Sequence, residues 1–248
     1  MGTLALHGGG EFESGDERFL AALVEAAAER AAGRSIRAAV VPTAAARGRP
    51  ALAGARGAAA LERVAASLGV ALVASTIPVV DAASAADFEL AARLAAADLT
   101  YLPGGDPDLI PTILAGSVAW TAIATAYAEG AVVAGASAGA MALAELTWTP
   151  AGIVAGLGAA AGLLVVPHAD AGSWTRNLRR FGGSGSPSPV GLLGLGERTG
   201  VIGPGDGTWR VVGEGEVRWL PAVGVANTAD LDPDAATVLR DGGRLDTR

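Results

Sequence analysis

The sequence predicts a three-layer α/β fold, in which a mostly parallel central sheet carries helices on both faces. Strand-like and helix-like segments alternate over the first 142 residues, and this alternation is typical of parallel sheets covered by helices. After residue 190, short apolar runs are separated by turn residues, which predicts short antiparallel strands in the C-terminal part. No linker separates two cores, so we expect a single domain over residues 1–248.

Apolar periodicity and turn residues predict the elements of the first half. Residues 47–57 contain three arginines and several glycines, and we expect a loop there. The predicted strands are residues 3–7, 35–42, 70–77, 99–102 and 131–134. The predicted helices are residues 16–32, 61–68, 85–97, 107–114 and 118–129.

The second half has a different pattern. A strand over residues 163–167 ends at His168, and a short basic helix is expected over residues 173–181. Residues 182–189 are rich in Gly, Ser and Pro, which favours a mobile loop. The tail from Asp230 is expected to form a peripheral hairpin or coil. The remaining predicted strands are residues 192–195, 200–202, 209–212 and 217–220.

Residues 131–142 join a strand-like run to a helix-forming run through a tight turn, with Ser137 at its apex. This is the pattern of a nucleophile elbow. Gly135 and Gly139 flank the serine, and they let strand and helix approach where a Cβ would clash. We therefore expect the serine hydroxyl at the carboxyl edge of the sheet, beside N–H groups of a helix amino end that can hold an oxyanion.

The composition argues against several classes of function. The net charge of −7, without a sustained basic run, argues against nucleic acid as a partner. No stretch approaches the length of about 18 apolar residues that a membrane span needs. The chain has no cysteine, which excludes disulfides, thiolate metal sites and a cysteine nucleophile. The two histidines lack metal-type spacing, so we expect no metal and no other cofactor. The amino terminus lacks the features of a signal peptide, and we expect a cytoplasmic protein.

A serine hydroxyl needs a base to remove its proton, and the chain offers only His7 and His168. His168 ends a predicted strand that we expect in the same sheet as Ser137, so it is the candidate base. His7 also ends a predicted strand, but no acid is evident beside it. We expect His7 to have a structural or substrate-adjacent role.

An acid must orient this base. Glu197 follows a Gly-rich apolar run and so arrives at a strand end. Asp170 is the competitor, although residues only two positions from His168 rarely present their side chains to it. Glu145, expected two turns along the elbow helix, is too far from the reacting edge. The order of serine, histidine and then acid excludes the ordinary α/β-hydrolase triad, in which the acid precedes the histidine.

Five segments together resemble a known family of serine peptidases, which includes cyanophycinase and dipeptidase E and has a fold like that of class I glutamine amidotransferases. The resemblance spans roughly residues 3 to 220. In chain order the segments are Gly8-Gly9-Gly10-Glu11, Pro103-Gly104-Gly105-Asp106, Gly135-Ala136-Ser137-Ala138-Gly139-Ala140, His168 with the arginines that follow it, and Gly194-Leu195-Gly196-Glu197-Arg198-Thr199.

The resemblance implies that Ser137 is a nucleophile, His168 a base and Glu197 the acid that orients it. It also implies an oxyanion hole formed by the backbone N–H groups of Gly105 and Ala138. Class I glutamine amidotransferases carry cysteine at the elbow, so this cysteine-free chain is not expected to be a glutaminase of that type.

Other residues are candidates for substrate binding. By the same resemblance, Gly104 and Asp106 contribute to it. Arg176, Arg179 and Arg180 stand on the predicted basic helix, and guanidinium groups suit a substrate carboxylate. A solvated helix face explains these arginines equally well.

The chain departs from cyanophycinase-like members at positions that contribute to substrate recognition. Pro107 stands where they usually have glutamine, and Val166-Pro167 stand where they usually have Asp-Gln. We therefore expect a small peptide or amide as substrate, with Asp-containing peptides as candidates, rather than cyanophycin. The sequence leaves the oligomeric state open, and a homodimer is one option.

The hypothesis is thus a serine hydrolase that cleaves a peptide or amide bond. The alternative is a catalytically silent binding or regulatory module on the same scaffold, because a fold does not imply a function. A nucleotide site at the turn of Gly8 to Gly10 ranks last, since this turn lacks the Gly-x-Gly-x-x-Gly spacing.

Overall fold

The computed structural model describes residues 1–182, 190–221 and 231–248, and it confirms the α/β fold with helices on both faces of a central sheet. The loop expected over residues 182–189 lies, apart from Gly182, outside the described residues. The described strands form two sheets that share one hydrophobic core.

The first sheet has eight strands. They are β1 (Thr3–His7), β2 (Ile36–Val40), β3 (Leu72–Thr76), β4 (Leu99–Leu102), β5 (Val132–Ala136), β10 (Thr199–Gly203), β11 (Thr208–Gly213) and β14 (Arg244–Asp246). Five of them are parallel, in the order β3-β2-β4-β5-β1, and the antiparallel strands β10, β11 and β14 extend the sheet beyond β1. The carboxyl ends of β1, β4 and β5 therefore meet at one edge.

Helices cover both faces of this sheet. The helices among the described residues are α1 (Glu17–Ala31), α2 (Pro50–Ser67), α3 (Ala82–Ala85), α4 (Phe88–Ala95), α5 (Leu109–Leu114), α6 (Val118–Ala128), α7 (Ala138–Leu143) and α8 (Trp174–Gly182), and α8 packs on the second sheet. Phe19 of α1 and Leu61 of α2 belong to a core with Ala5, whereas Leu94 of α4 and Ile123 of α6 belong to a core with Leu6. Ala5 and Leu6 point to opposite faces because side chains alternate along a strand. Of the helices described, none is both long and apolar enough to cross a membrane.

The second sheet has six strands and was not predicted. They are β6 (Ala144–Thr149), β7 (Gly152–Ala155), β8 (Ala160–Val166), β9 (Gly191–Leu195), β12 (Val217–Leu220) and β13 (Thr237–Leu239). Leu164 and Leu193 belong to the same core as Leu6, so this sheet packs on one side of the first. β8 and β9 are parallel neighbours in which Val166 pairs with Gly194, and both therefore end at the same edge.

The expectation of a loop over residues 47–57 is wrong, because α2 begins at Pro50. Proline suits the first turn of a helix, where its missing N–H costs no hydrogen bond. Gly54 belongs to this helix and lies against the sheet: a Cβ there would come within 2.3 Å of Thr76 Cγ2. The glycine that suggested a loop instead allows close packing.

Two further expectations are corrected. The helix expected over residues 85–97 is two helices, because the side chain of Asp87 accepts N–H groups at the start of α4 and caps a new helix there. Glu145, expected on the elbow helix, lies on β6, since α7 ends at Leu143. Its carboxylate accepts the backbone N–H of Gly162 at 2.7 Å.

A buried carboxylate, Asp98, ties the start of β4 to the end of α1 and to β2. Asp98 is fully buried, and two guanidinium nitrogens of Arg34 contact it at 2.6 and 2.5 Å. The backbone N–H of Arg37 donates to it at 2.9 Å, and Arg30 Nε lies 3.4 Å away. Burial alone would raise the pKa of Asp98, but the hydrogen bonds from Arg34 and Arg37 outweigh burial and hold this pKa below its ordinary value of 3.8.

We expect Asp98→Asn to lower the free energy of unfolding by about 2–3 kcal/mol at neutral pH, because buried donors then face an uncharged amide. Urea unfolding measures this loss, with Glu29→Gln, an exposed residue of α1, as the control. The pKa of Asp98 is lower in the folded than in the unfolded chain. The stabilisation is therefore present above about pH 4 and is lost as the pH falls through the folded-state pKa. A difference between wild type and Asp98→Asn that does not shrink in acid would contradict this account.

Candidate active site

Ser137 lies in the turn between β5 and α7, with φ +48° and ψ −113°, a conformation that side-chain-bearing residues rarely adopt. Its neighbours are buried, but Ser137 is only half-buried. A Cβ on Gly135 would lie 2.5 Å from the carbonyl carbon of Gly139. A Cβ on Gly139 would lie 2.0 Å from the carbonyl oxygen of Leu102. Strand and helix thus approach at distances that glycine permits, as the sequence predicted.

Three of the predicted site residues make a continuous line of contacts. Ser137 Oγ is 2.9 Å from His168 Nε2, and His168 Nδ1 is 2.5 Å from Glu197 Oε1. The side chains of His168 and Glu197 are 45% and 34% exposed, so the line is open to solvent. An ionised Glu197 can only accept a hydrogen bond, so the ring proton of a neutral His168 lies on Nδ1. This leaves Nε2 as the acceptor for the serine hydroxyl.

These residues come from different sheets, so the expectation that His168 and Ser137 end strands of one sheet is wrong. Ser137 follows β5 of the first sheet, whereas His168 and Glu197 follow the parallel neighbours β8 and β9 of the second. Because β8 and β9 end at the same edge, their following residues lie side by side. The chain then returns to the first sheet through β10.

The loop after β1 connects the two sheets at this point. The carbonyl of Gly8 accepts the N–H of His168 at 3.0 Å, and the carbonyl of Gly9 accepts the N–H of Arg198 at 2.7 Å. The His168 ring packs directly on this loop: a Cβ on Gly9 would lie 2.3 Å from its Cε1. A Cβ on Gly10 would lie 2.6 Å from Glu197 Oε2. The loop therefore lies against both the base and the acid.

The two acids that the sequence left open have different partners. Glu197 contacts the imidazole of His168, whereas Asp170 Oδ1 accepts the backbone N–H of Glu197 at 3.2 Å. Asp170 therefore contacts the acid rather than the base. Its backbone carbonyl accepts N–H groups from Ser173 and Trp174, both at 2.8 Å, and so begins α8.

The residues expected to form an oxyanion hole belong to the two segments next to Ser137, and with respect to the described residues their backbone N–H groups are free to bind a ligand. Ala138 is the first residue of α7, and Gly105 follows Gly104, whose Cβ position is 3.1 Å from Ser137 Cβ. Within the described part of the chain, neither the Gly105 nor the Ala138 N–H donates to a backbone or side-chain acceptor. The Gly104 N–H donates to Glu11 Oε1 at 2.8 Å. This contact of Glu11 was not predicted, although the residue ends the first glycine segment of the resemblance.

Asp106 lies next to this loop, and both its backbone N–H and its carboxylate have partners there. Its backbone N–H donates to the Ala44 carbonyl at 2.7 Å, and its half-exposed carboxylate is 3.7 Å from Arg47. Arg47 also contacts both oxygens of Asp108, at 2.9 and 2.8 Å. The hydrogen bonds from Arg47 hold the pKa of Asp108 below its ordinary value. Arg47 thus holds the two carboxylates together, and a role for Asp106 in binding substrate stays a prediction.

The three arginines lie on α8, as expected, and all are exposed. The Arg180 guanidinium lies 5.0 Å from the centre of the Trp148 ring, in a cation–π contact. Among the residues that the structure describes, Arg176 and Arg179 make no ion pair. No carboxylate among the described residues therefore neutralises the charge of these two arginines.

His7 does have an acidic neighbour, contrary to the expectation from the sequence. Its ring is fully buried against Phe19, with Nε2 3.0 Å from Asp16 Oδ1. The carbonyl of His7 accepts the N–H of Ser137 at 2.9 Å. Each histidine thus has one carboxylate partner, and in the ranges covered by the structure no group of three or more His, Asp or Glu could hold a metal ion.

Comparisons with known proteins relate the chain to peptidases. The model of peptidase family S51 matches residues 4–151, a stretch that includes Ser137 and ends before His168. A crystal structure of a peptidase from an acI-B1 Actinobacterium has 25% identical residues and a TM-score of 0.78, over 99% of this chain and 97% of that one. A putative peptidase E protein from Listeria monocytogenes EGD-e has 16% identity and a TM-score of 0.55, over 87% of this chain and 98% of its own, and supports the fold alone. No curated protein matches the chain.

Gly10→Ala tests the contact between the glycine loop and Glu197. Gly10 and Gly69 have φ of +71° and +68°, but a Cβ on Gly69 would meet no described atom within 4 Å. We expect each alanine to cost about 1–2 kcal/mol of stability, because L-residues disfavour this conformation. Only Gly10→Ala should push the carboxylate of Glu197 away from His168. Crystal structures of both variants measure the Oε1–Nδ1 distance, and an unchanged distance in Gly10→Ala would contradict the prediction.

Proposed function

The chain belongs to peptidase family S51 and is a serine-type peptidase, and we propose that it cleaves a peptide or amide bond with Ser137 as nucleophile, His168 as base and Glu197 as the acid that orients the base. The observation that carries this proposal is the line of contacts from Ser137 Oγ to His168 Nε2 at 2.9 Å and from His168 Nδ1 to Glu197 Oε1 at 2.5 Å. Nucleophile, base and orienting acid within hydrogen-bond reach of one another are what this chemistry requires.

In the first half of the reaction, Ser137 Oγ attacks the scissile carbonyl carbon while its proton passes to His168 Nε2. Glu197 accepts the Nδ1 proton in a hydrogen bond and stabilises the imidazolium that forms. The C–N bond then breaks, and His168 returns the proton to the leaving amine. In the second half, His168 takes a proton from water, which attacks the ester carbon. The C–O bond to Ser137 then breaks, His168 returns the proton to Ser137 Oγ, and the carboxylic acid is released.

The negative charge of the tetrahedral intermediates would be held by the N–H groups of Gly105 and Ala138. Two features support this role. Neither N–H is engaged by an acceptor among the described residues. Ala138 follows Ser137 in the elbow turn, and Gly105 follows Gly104, where an added Cβ would lie 3.1 Å from Ser137 Cβ. Removal of one such donor typically costs about 10²–10³ in turnover. Backbone donors cannot be deleted by substitution, so this part is best tested through a bound transition-state analogue.

For the substrate we propose a small peptide, with Asp-containing peptides as the leading candidates. Arg176 and Arg179 support this choice, because they are exposed on the helix that follows His168 in the chain and can receive a carboxylate. The departures at Pro107 and Pro167 count against cyanophycin. The single-domain organisation, the cytoplasmic location and the homodimer stay predictions.

The alternative of a catalytically silent binding module expects a serine without a base in reach. The short Ser137–His168 contact counts against this alternative. A silent module would also have no need for the strained backbone of Ser137, which costs stability unless it serves a function.

Covalent labelling by a fluorophosphonate tests the proposal without knowledge of the substrate. We expect the wild type to be labelled at Ser137, with no labelling of Ser137→Ala and a rate lower by about 10⁴-fold or more in His168→Ala. Glu197→Gln should lower the rate by about 10²–10⁴-fold, because the imidazolium loses its counter-charge. Glu145→Gln, an acid of the second sheet outside the site, is the matched control and should react like the wild type.

Hydrolysis of aspartyl dipeptides, β-aspartyl peptides and small amides then identifies the substrate class. Arg176→Ala and Arg179→Ala should raise KM for substrates with a free carboxylate by about tenfold, since a charge-assisted hydrogen bond is lost. A folded wild type that no fluorophosphonate labels, and that cleaves no member of the panel, would overturn the proposed function.

A further inference from the structure

The backbone of His168 is held in a conformation that needs support. Its φ is +52°, in the left-handed region that is unfavourable for a residue with a Cβ. Such a conformation persists when surrounding contacts determine it, and these residues cluster at functional sites. From this backbone the ring reaches Ser137 on one side and Glu197 on the other.

Two side chains of the α8 region hold this backbone through its carbonyl groups. Asn177 Nδ2 donates to the carbonyl of His168 at 3.0 Å and to the carbonyl of Pro167 at 3.3 Å. The hydroxyl of Ser173 donates to the same His168 carbonyl. A carboxamide nitrogen carries two hydrogens, so Asn177 can serve both carbonyls at once. The His168 N–H donates to the carbonyl of Gly8, so hydrogen bonds hold the backbone of His168 on both sides of its Cα.

Asn177 belongs to α8 and Ser173 stands just before it, and this helix packs against the hydrophobic core. Trp174 is 3% exposed, and its Nε1 donates to the carbonyl of Pro233 at 3.0 Å. Leu178, one turn further, is 1% exposed. The same helix start also reaches the acid, because Asp170 Oδ1 accepts the N–H of Glu197. The backbones of His168 and Glu197 are thus both held by residues of α8 or of the turn just before it.

We propose that Asn177 and Ser173 are positioning residues, which hold the His168 backbone left-handed so that its ring lies in line with Ser137 and Glu197. This inference rests on the proposed function, since it assigns a role to residues that act through the base. Neither side chain touches a reacting atom. They affect the position and orientation of the imidazole. Misplacement of a reacting group by about 1 Å can lower the rate by about 10²-fold.

The chemistry of Asn177 makes a sharp substitution available. Aspartate has the same shape as asparagine but accepts hydrogen bonds only, so its oxygens would face two carbonyl oxygens. Asn177→Asp should therefore disturb the His168 backbone more than Asn177→Ala, which only removes the donor. Ser173→Ala removes one of two donors to one carbonyl and should have the smallest effect. Thr175, a half-buried neighbour on the same helix, makes no side-chain hydrogen bond within the described part of the chain, and Thr175→Ala is the control.

The first measurement is the rate of fluorophosphonate labelling at Ser137. We expect Asn177→Ala to be about 10-fold slower than wild type and Asn177→Asp about 100-fold slower, with Ser173→Ala between Asn177→Ala and wild type. Thr175→Ala should match the wild type. With a cleaved peptide as substrate, kcat should fall while KM stays within about twofold, because the variants change the aim of the base and not the binding of substrate.

The second measurement separates this role from a general loss of packing. The chain has only two histidines, so ¹⁵N-labelled histidine gives ring signals from His7 and His168 alone. His7 is fully buried against Phe19 and reports on the intact core. We expect the ring signals of His168 to move in Asn177→Asp and Asn177→Ala while those of His7 keep their wild-type positions. If Asn177→Asp fails to fold, Ser173→Ala provides the same comparison.

The outcomes distinguish the two proposals. If wild type and Thr175→Ala are labelled equally, and Asn177→Ala and Ser173→Ala label at the wild-type rate with unmoved His168 signals, the positioning role is overturned and the proposed function stands. A shift of both histidine signals together would also overturn it, because a packing defect would then explain the lower rate. If the folded wild type itself is not labelled, the proposed function has failed.

Discussion

The glycine loop between β1 and α1 is the constraint on which the site depends, because it joins strand ends that belong to different sheets. Its carbonyls accept the N–H groups of His168 and Arg198 from the second sheet, while the His7 carbonyl at its start accepts the N–H of Ser137 from the first. The imidazole and the carboxylate occupy the space that side chains on this loop would fill. The absence of side chains at Gly8 to Gly10 is therefore what allows Ser137, His168 and Glu197 to meet.

The first sheet was predictable because each of its parallel strands is a short apolar run that ends in turn residues. The second sheet was not, because β6 follows the Ala-Met-Ala-Leu run of α7 without a break, and no turn residue marks where the helix ends and the strand begins. The start of α2 was misread for a related reason. A glycine in a helix that lies close to a sheet looks, in the sequence, like a glycine in a loop, and contact with Thr76 is what separates the two cases.

The line of Ser137, His168 and Glu197 could be anticipated, since each follows a strand and only two histidines compete for the role of base. The contacts of the residues around them could not be anticipated from the sequence. Ser173 and Asn177 act on backbone carbonyls, and a sequence gives the type of a side chain but not the carbonyl that it meets across a turn. Asp16 was expected only as the first residue of the helix over residues 16–32, yet its side chain makes no capping hydrogen bond to α1 and contacts His7 instead.

The order of the parts along the chain has a consequence for biosynthesis. The serine and the donors that would hold its oxyanion precede residue 151, whereas the base comes 31 residues after Ser137 and belongs to the other sheet. A ribosome releases the amino-terminal part first, so Ser137 emerges before His168 and Glu197. Under the roles proposed above, Ser137 would therefore lack its base until β8 and β9 have paired and His168 has reached the site.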